Sequence, residues 1–148
     1  MTSTILVLNG PNLNLLGTRE PDIYGTETLD SIQARVETRA KELGLAADFR
    51  QTNAESELIE WIQTAKGTAA GIVLNAAAFT HTSLAVADAL DAVALPVVEV
   101  HLSNIFCRES FRQHSHVSRA AVGVISGFGG DGYVLAMDAM AGVLERTG

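Results

Sequence analysis

Ile5-Leu6-Val7-Leu8-Asn9-Gly10-Pro11-Asn12 opens the reading: an unbroken apolar run stops at a cluster of turn formers. A strand with one wet face alternates polar and apolar residues, whereas a strand apolar at every position is buried on both faces. Gly71-Ile72-Val73-Leu74, halted by Asn75, has the same character. So do Pro96-Val97-Val98-Glu99-Val100-His101 and Ala121-Val122-Gly123-Val124-Ile125, and a weaker strand covers Leu45 to Gln51. Helical spacing fills the gaps. Thr28 is an N-cap candidate for a helix with Leu29, Ile32, Val36 and Leu43 on one face, ended by Gly44. A second helix runs from Glu55 to Ala65 with Gly67 at its end, and a third from Thr82 to Val93. The last is expected over Tyr133 to Glu145, with Met137, Met140, Val143 and Leu144 inward.

Non-alternating strands separated by helices predict an α/β fold: a flavodoxin-like, doubly wound, five-stranded parallel sheet of order 2-1-3-4-5. The 148 residues are the length of one domain, spanning 1–148. With 47 % apolar and 18 % charged residues the chain can build a core, which excludes disorder. A net charge of −7 argues against nucleic acid or an anionic membrane as partner, since both select basic surfaces. The longest near-apolar run, Ala69 to Phe79, is too short to span a bilayer. No Lys or Arg precedes Arg19, so no secretory signal is expected, and a single cysteine, Cys107, fits a reducing cytoplasm.

In such sheets ligands bind beyond the carboxyl ends of the strands. Polar residues gather there: Asn9 to Asn12, Asn75, Thr80-His81-Thr82-Ser83, and His101 with Ser103 and Asn104. Both lysines, Lys41 and Lys66, lie near helix C-termini, at the other end, which disfavours a Schiff-base lysine. Gly17 to Gly25 (GTREPDIYG) reads as a lid, although a plain connecting loop with a packed aromatic fits the same letters. Tyr24 is a poor base at its ordinary pKa of about 10, and a guanidinium such as Arg19 lowers that value. Glu99 and His101, two apart on a strand, share a face, so the carboxylate can fix the imidazole's tautomer and favour the imidazolium, a general acid. A structurally satisfied strand-end histidine is the alternative. His81, Asp88 seven residues later, and Arg112 suit a hydroxyl-rich ligand.

Two motifs point elsewhere and are set aside. His114-x-His116 with Cys107 has no zinc-ligand spacing. Gly127-x-Gly129-x-x-Gly132 matches a dinucleotide fingerprint, but only one helix follows it and no further strand carries the acidic residue. Without a P-loop, or an acidic pair after the first strand, a phosphate-binding signalling domain is also disfavoured. A non-catalytic small-ligand-binding module on the same fold remains a rival to an enzyme.

The stretch Leu8 to Gly17 with Arg19-Glu20-Pro21 and Ile23-Tyr24-Gly25 resembles the start of the type II 3-dehydroquinate dehydratases. Gln51-Thr52-Asn53, Asn75, Thr80-His81-Thr82-Ser83, Glu99-Val100-His101-Leu102-Ser103-Asn104, Arg108-Glu109, Phe111-Arg112 and His114-Ser115 continue the likeness along nearly the whole chain. The resemblance implies a catalytic domain, a lyase that dehydrates 3-dehydroquinate to 3-dehydroshikimate by anti elimination through an enolate, with no cofactor, metal or Schiff base. That step belongs to the shikimate pathway of aromatic amino acid biosynthesis, and the same reaction serves quinate breakdown. It implies Tyr24 as the base, Arg19 and Arg108 lowering its pKa, and Asn12 helping to hold a water that stabilises the enolate. It further implies that His101, oriented by Glu99, protonates the leaving hydroxyl, that Asn75, His81, Asp88 and Arg112 bind the substrate's hydroxyls, and that Leu102 and Ser103 take its carboxylate. A homo-oligomer is implied, a dodecamer built from trimers, with Asp88 the candidate for a residue shared between subunits. Ala76, Phe106-Cys107 and His116 depart from the family pattern.

Overall fold

A computed structural model describes residues 2–18 and 26–147. Five strands lie parallel in the order β2-β1-β3-β4-β5: β1 (Ser3–Asn9), β2 (Leu45–Gln51), β3 (Gly71–Asn75), β4 (Val97–His101) and β5 (Gly123–Ser126). The order and class are those the sequence predicts. Three helices cross over between successive strands, α1 (Leu29–Glu42), α2 (Glu55–Thr64) and α3 (Leu84–Val93); 3-10 turns join β4 to β5, and α4 (Asp131–Thr147) follows β5. Side-chain alternation splits each apolar run between two cores. Ile5, Val7, Val73, Val98 and Val100 pack with Ile32, Val36, Met137 and Met140 of α1 and α4. Leu6, Leu8, Ile72, Leu74 and Val97 meet Leu58, Ile62, Val86 and Leu90 of α2 and α3 on the opposite face. No described helix is long and apolar enough to cross a membrane.

Element ends follow local chemistry. Thr28 caps α1 as expected, its hydroxyl accepting from the Ser31 N–H at 3.1 Å. The third helix begins at Leu84 rather than Thr82, because the Ser83 hydroxyl accepts from the Val86 N–H at 3.0 Å and makes Ser83 the cap. The residues before it, Ala77–His81, form a separate 3-10 turn. The fifth strand begins at Gly123 rather than Ala121, after the 3-10 turn Ser118–Ala120. It is the sheet edge, and Val122 and Val124 are exposed there, unlike the fully buried β3 and β4. The last helix starts two residues early, at Asp131. The glycine turn before it ties down the end of β4: Gly127 N–H donates to His101 O at 3.2 Å and Gly129 N–H to Leu102 O at 2.9 Å.

Candidate active site

Parallel register brings Asn9 of β1 beside Asn75 of β3, and β4 ends close by at His101. A pocket opens over this edge. Asn12, Asn75, His81, His101, Leu102, Ser103, Arg108 and Arg112 line it, with Leu13, Leu16 and Ile105 supplying its apolar side. Eight of the twelve residues singled out in the sequence therefore meet at one place. Glu99 lies behind His101, buried within β4. Arg19 and Tyr24, with most of the expected lid, fall outside the described residues. Asp88 does not line the pocket and is exposed on α3. Its seven-residue spacing from His81 would align the two only on a continuous helix, and the Ser83 cap breaks that continuity.

The turn after β1 is held by close backbone contact. Gly10 N–H donates to Asn75 O at 2.8 Å, and a Cβ on Gly10 would sit 2.4 Å from Ala76 O. Asn12 adopts φ 70°, a left-handed conformation that asparagine tolerates. Asn53 Oδ1 accepts from its N–H at 2.9 Å, while Gln51 Nε2 donates to Gly10 O at 3.1 Å. The Gln51-Thr52-Asn53 stretch is thus a brace for the Asn12 loop. Gly10→Ala is expected to destabilise the fold by about 1–3 kcal/mol, the usual cost of overpacking, read as a lower denaturant midpoint at unchanged slope.

Asn75 is oriented by a residue that sequence reasoning treated only as a helix start. Its Nδ2 donates to Tyr133 Oη at 2.9 Å, and its Oδ1 accepts from Ala77 N–H at 3.1 Å. The Tyr133 hydroxyl in turn donates to Asn9 Oδ1 at 2.6 Å, and Asn9 Nδ2 to Arg50 O at 3.0 Å. Burial raises the Tyr133 phenol above its ordinary value, so it stays a protonated donor. This chain fixes which end of the Asn75 amide faces each way, leaving it one N–H and one acceptor site for a ligand. The only signal for it in the sequence is a tyrosine on an inward helix face, whose hydroxyl needs a partner once buried.

His81 Nδ1 lies 2.8 Å from His114 O, so Nδ1 carries the hydrogen and a neutral ring presents Nε2 as an acceptor. Burial is the main reason its pKa is lowered, with His101 and Arg112 acting in the same direction against the His114 carbonyl and Glu99. The ring stacks near His101, centroids 6.4 Å apart. His101 Nε2 meets Glu99 Oε2 at 2.5 Å, and Ser115 and Ser118 donate to the same carboxylate at 2.8 and 2.6 Å. Burial pushes the Glu99 carboxyl up, but hydrogen bonds from His101, Ser118 and Ser115 outweigh it and leave the pKa lowered. At the rim, Glu109 Oε2 lies 3.0 Å from Arg112 Nε and 3.8 Å from Arg108 Nε. Guanidiniums, an imidazole paired with a carboxylate, and oriented amides suit a small hydroxylated anion and proton transfer to it.

The departures from the family pattern stay clear of these contacts. Ala76 has φ −76°, within the range a proline ring would impose. Phe106 is exposed, and Cys107 Sγ accepts from Asn104 Nδ2 at 3.3 Å. His116 meets His114 edge-on at 4.9 Å. Among the described residues, no group of three or more His, Cys, Asp or Glu side chains is placed to hold a metal ion.

The family model described as Dehydroquinase class II matches residues 3–141. The chain is 61 % identical over 147 residues to 3-dehydroquinate dehydratase 2 of Pseudomonas aeruginosa, covering 99 % of each. It is 57 % identical to the 3-dehydroquinate dehydratase of Phenylobacterium zucineum, covering 97 % of this chain and 99 % of that one. The crystal structure of type II dehydroquinase from Propionibacterium acnes superposes with a TM-score of 0.91 at 48 % identity, covering 95 % of this chain and 97 % of that one. With the fold, the pocket and these relatives in agreement, the chain belongs to the class II dehydroquinase family.

Proposed function

We propose that the protein is a hydro-lyase that dehydrates 3-dehydroquinate to 3-dehydroshikimate in the shikimate pathway, acting in the cytoplasm as a single catalytic domain over residues 1–148. The observation that carries this reading is the buried Glu99–His101 pair facing a pocket of guanidinium, imidazole and amide groups. Tyr24 removes the proton next to the ketone, its pKa lowered by Arg19 and Arg108. The enolate oxygen is stabilised from the Asn12 loop. His101 then gives its proton to the departing hydroxyl, the C–O bond breaks, water leaves, and the enolate collapses to the conjugated enone. Asn75, His81 and Arg112 hold the substrate's hydroxyls, and the Leu102–Ser103 backbone holds its carboxylate. Neither a metal nor an imine takes part.

The test is to add 3-dehydroquinate and follow the ultraviolet absorption of the enone. Steady growth is expected, unchanged by a chelator or by borohydride. Binding without any enone would indicate the non-catalytic module instead.

The second part of the proposal is a homo-oligomer, a dodecamer built from four trimers, in which Asp88 of one subunit completes a neighbour's pocket. It is supported by the exposure of Asp88 and of Leu84, four residues before it on α3, and by exposed Phe106 and Phe111 near the pocket rim. Sedimentation is expected to give a species far above the 15.6 kDa chain mass, and a monomer at micromolar concentration would refute the assembly.

A further inference from the structure

Ser115 and Ser118 donate to Glu99 from a segment that follows β4 and lies outside the pocket lining. The Ser115 hydroxyl has its acceptor positions committed: Val117 N–H and Ser118 N–H both donate to it at 3.1 Å. A hydroxyl has one hydrogen and two lone pairs, so with both lone pairs used its hydrogen has one place to go, Glu99 Oε2 at 2.8 Å. Ser118 Oγ is 2.6 Å from the other oxygen, Oε1. Three donors therefore converge on a side chain that is 1 % exposed, and a carboxylic acid could not receive all three without turning its own hydrogen into one of them. With Glu99 kept as an acceptor, the His101 nitrogen facing it must be an N–H, so the proton that His101 gives to the leaving group comes from Nδ1 of the imidazolium.

We propose that Ser115 and Ser118 are positioning residues of the dehydration: they clamp Glu99 as a carboxylate, and through it set the tautomer and aim of His101. Neither serine touches the substrate. The inference rests on His101 being the acid that protonates the leaving group. Backbone amides tie the Ser115 hydroxyl into its turn, whereas the Ser118 hydroxyl bonds Glu99 alone and its N–H, which also holds Ser115, is kept in an alanine variant, so Ser118 is the cleaner position to change.

Ser118→Ala is expected to lower kcat about 10-fold, the scale of one lost hydrogen bond to a charged group, with KM changed much less. The acid limb of the kcat profile should move to higher pH. Glu99 has lost a donor, its carboxyl is protonated more readily, and protonation removes the acceptor that orients His101. The other titratable or charged groups facing the pair, His81 across the ring stack and Arg108 and Arg112 across the pocket, are unchanged in this variant. Ser118→Thr keeps a hydroxyl and should restore both the rate and the limb. A change in melting temperature alone, or a fall in kcat with an unmoved acid limb, would make the serines merely structural and overturn the clamp. Combining Ser118→Ala with His101→Asn separates the two readings. If the serine acts through His101, it has no further effect on kcat in that background, and an equal further loss overturns the inference. If His101→Asn alone turns over like the parent, the assignment of His101 as acid fails, and the clamp fails with it.

Discussion

Tyr24→Phe is expected to lower turnover by at least about 10²–10⁴-fold, the range for loss of a general base, while keeping the fold and much of the substrate affinity. A ketone's α-proton is weakly acidic, and two chemistries can remove it from this substrate: an imine formed on lysine, or an enolate formed by a base. The lysines are badly placed for the first. Lys41 sits in the last turn of α1, just before Leu45, which pairs with Ser3 at the start of β1. Lys66 follows the end of α2 and leads toward the start of β3. Both are thus at the opposite edge of the sheet from Asn9, Asn75 and His101. The enolate route needs a phenolate near neutral pH, and in the proposed mechanism a guanidinium, that of Arg19, favours it. Arg19→Ala should also slow the reaction, but differently: the Tyr24 pKa rises toward about 10, so activity returns as pH is raised. Tyr24→Phe has nothing to ionise and stays slow at every pH. Rates over a pH series distinguish the two variants, and a Tyr24→Phe enzyme within a few-fold of the parent would rule out the phenolate.

His101→Asn separates the two halves of the elimination. Removing the acid is expected to cost roughly 10²–10⁴-fold in enone formation, because hydroxide is a poor leaving group without a proton. The base is untouched, so the enolate still forms and returns. Exchange of the substrate's α-hydrogen with deuterated water should therefore survive far better than elimination. Equal loss of both would assign His101 to binding or structure instead. Glu99→Gln should follow the same pattern with a smaller fall, since the amide occupies the same volume but no longer carries the charge that orients and stabilises the imidazolium.

Much of this molecule could be read along the chain. Apolar runs without alternation specified strands covered on both faces, and hence the parallel sheet, because a half-exposed strand could not bury such a run. Turn residues at the strand ends marked the binding edge, and strand parity alone put Glu99 and His101 on one face. The sequence by itself therefore determined the fold, the end of the sheet where polar residues collect, and the pairing of Glu99 with His101. What it could not express were contacts between segments far apart. Tyr133 reaches Asn9 and Asn75 because α4 packs against β3 and β4 with its first turn near the ends of β1 and β3, and Ser115 and Ser118 reach Glu99 because the chain folds back over β4. Asp88 shows the same limit in reverse: named with His81 and Arg112 as suited to a hydroxyl-rich ligand, it is exposed on α3 and does not line the pocket that those two share. Periodicity records which face a side chain occupies within its own element. Only the packing of elements against one another decides which hydroxyl meets which carboxylate, and that was settled by the tertiary structure.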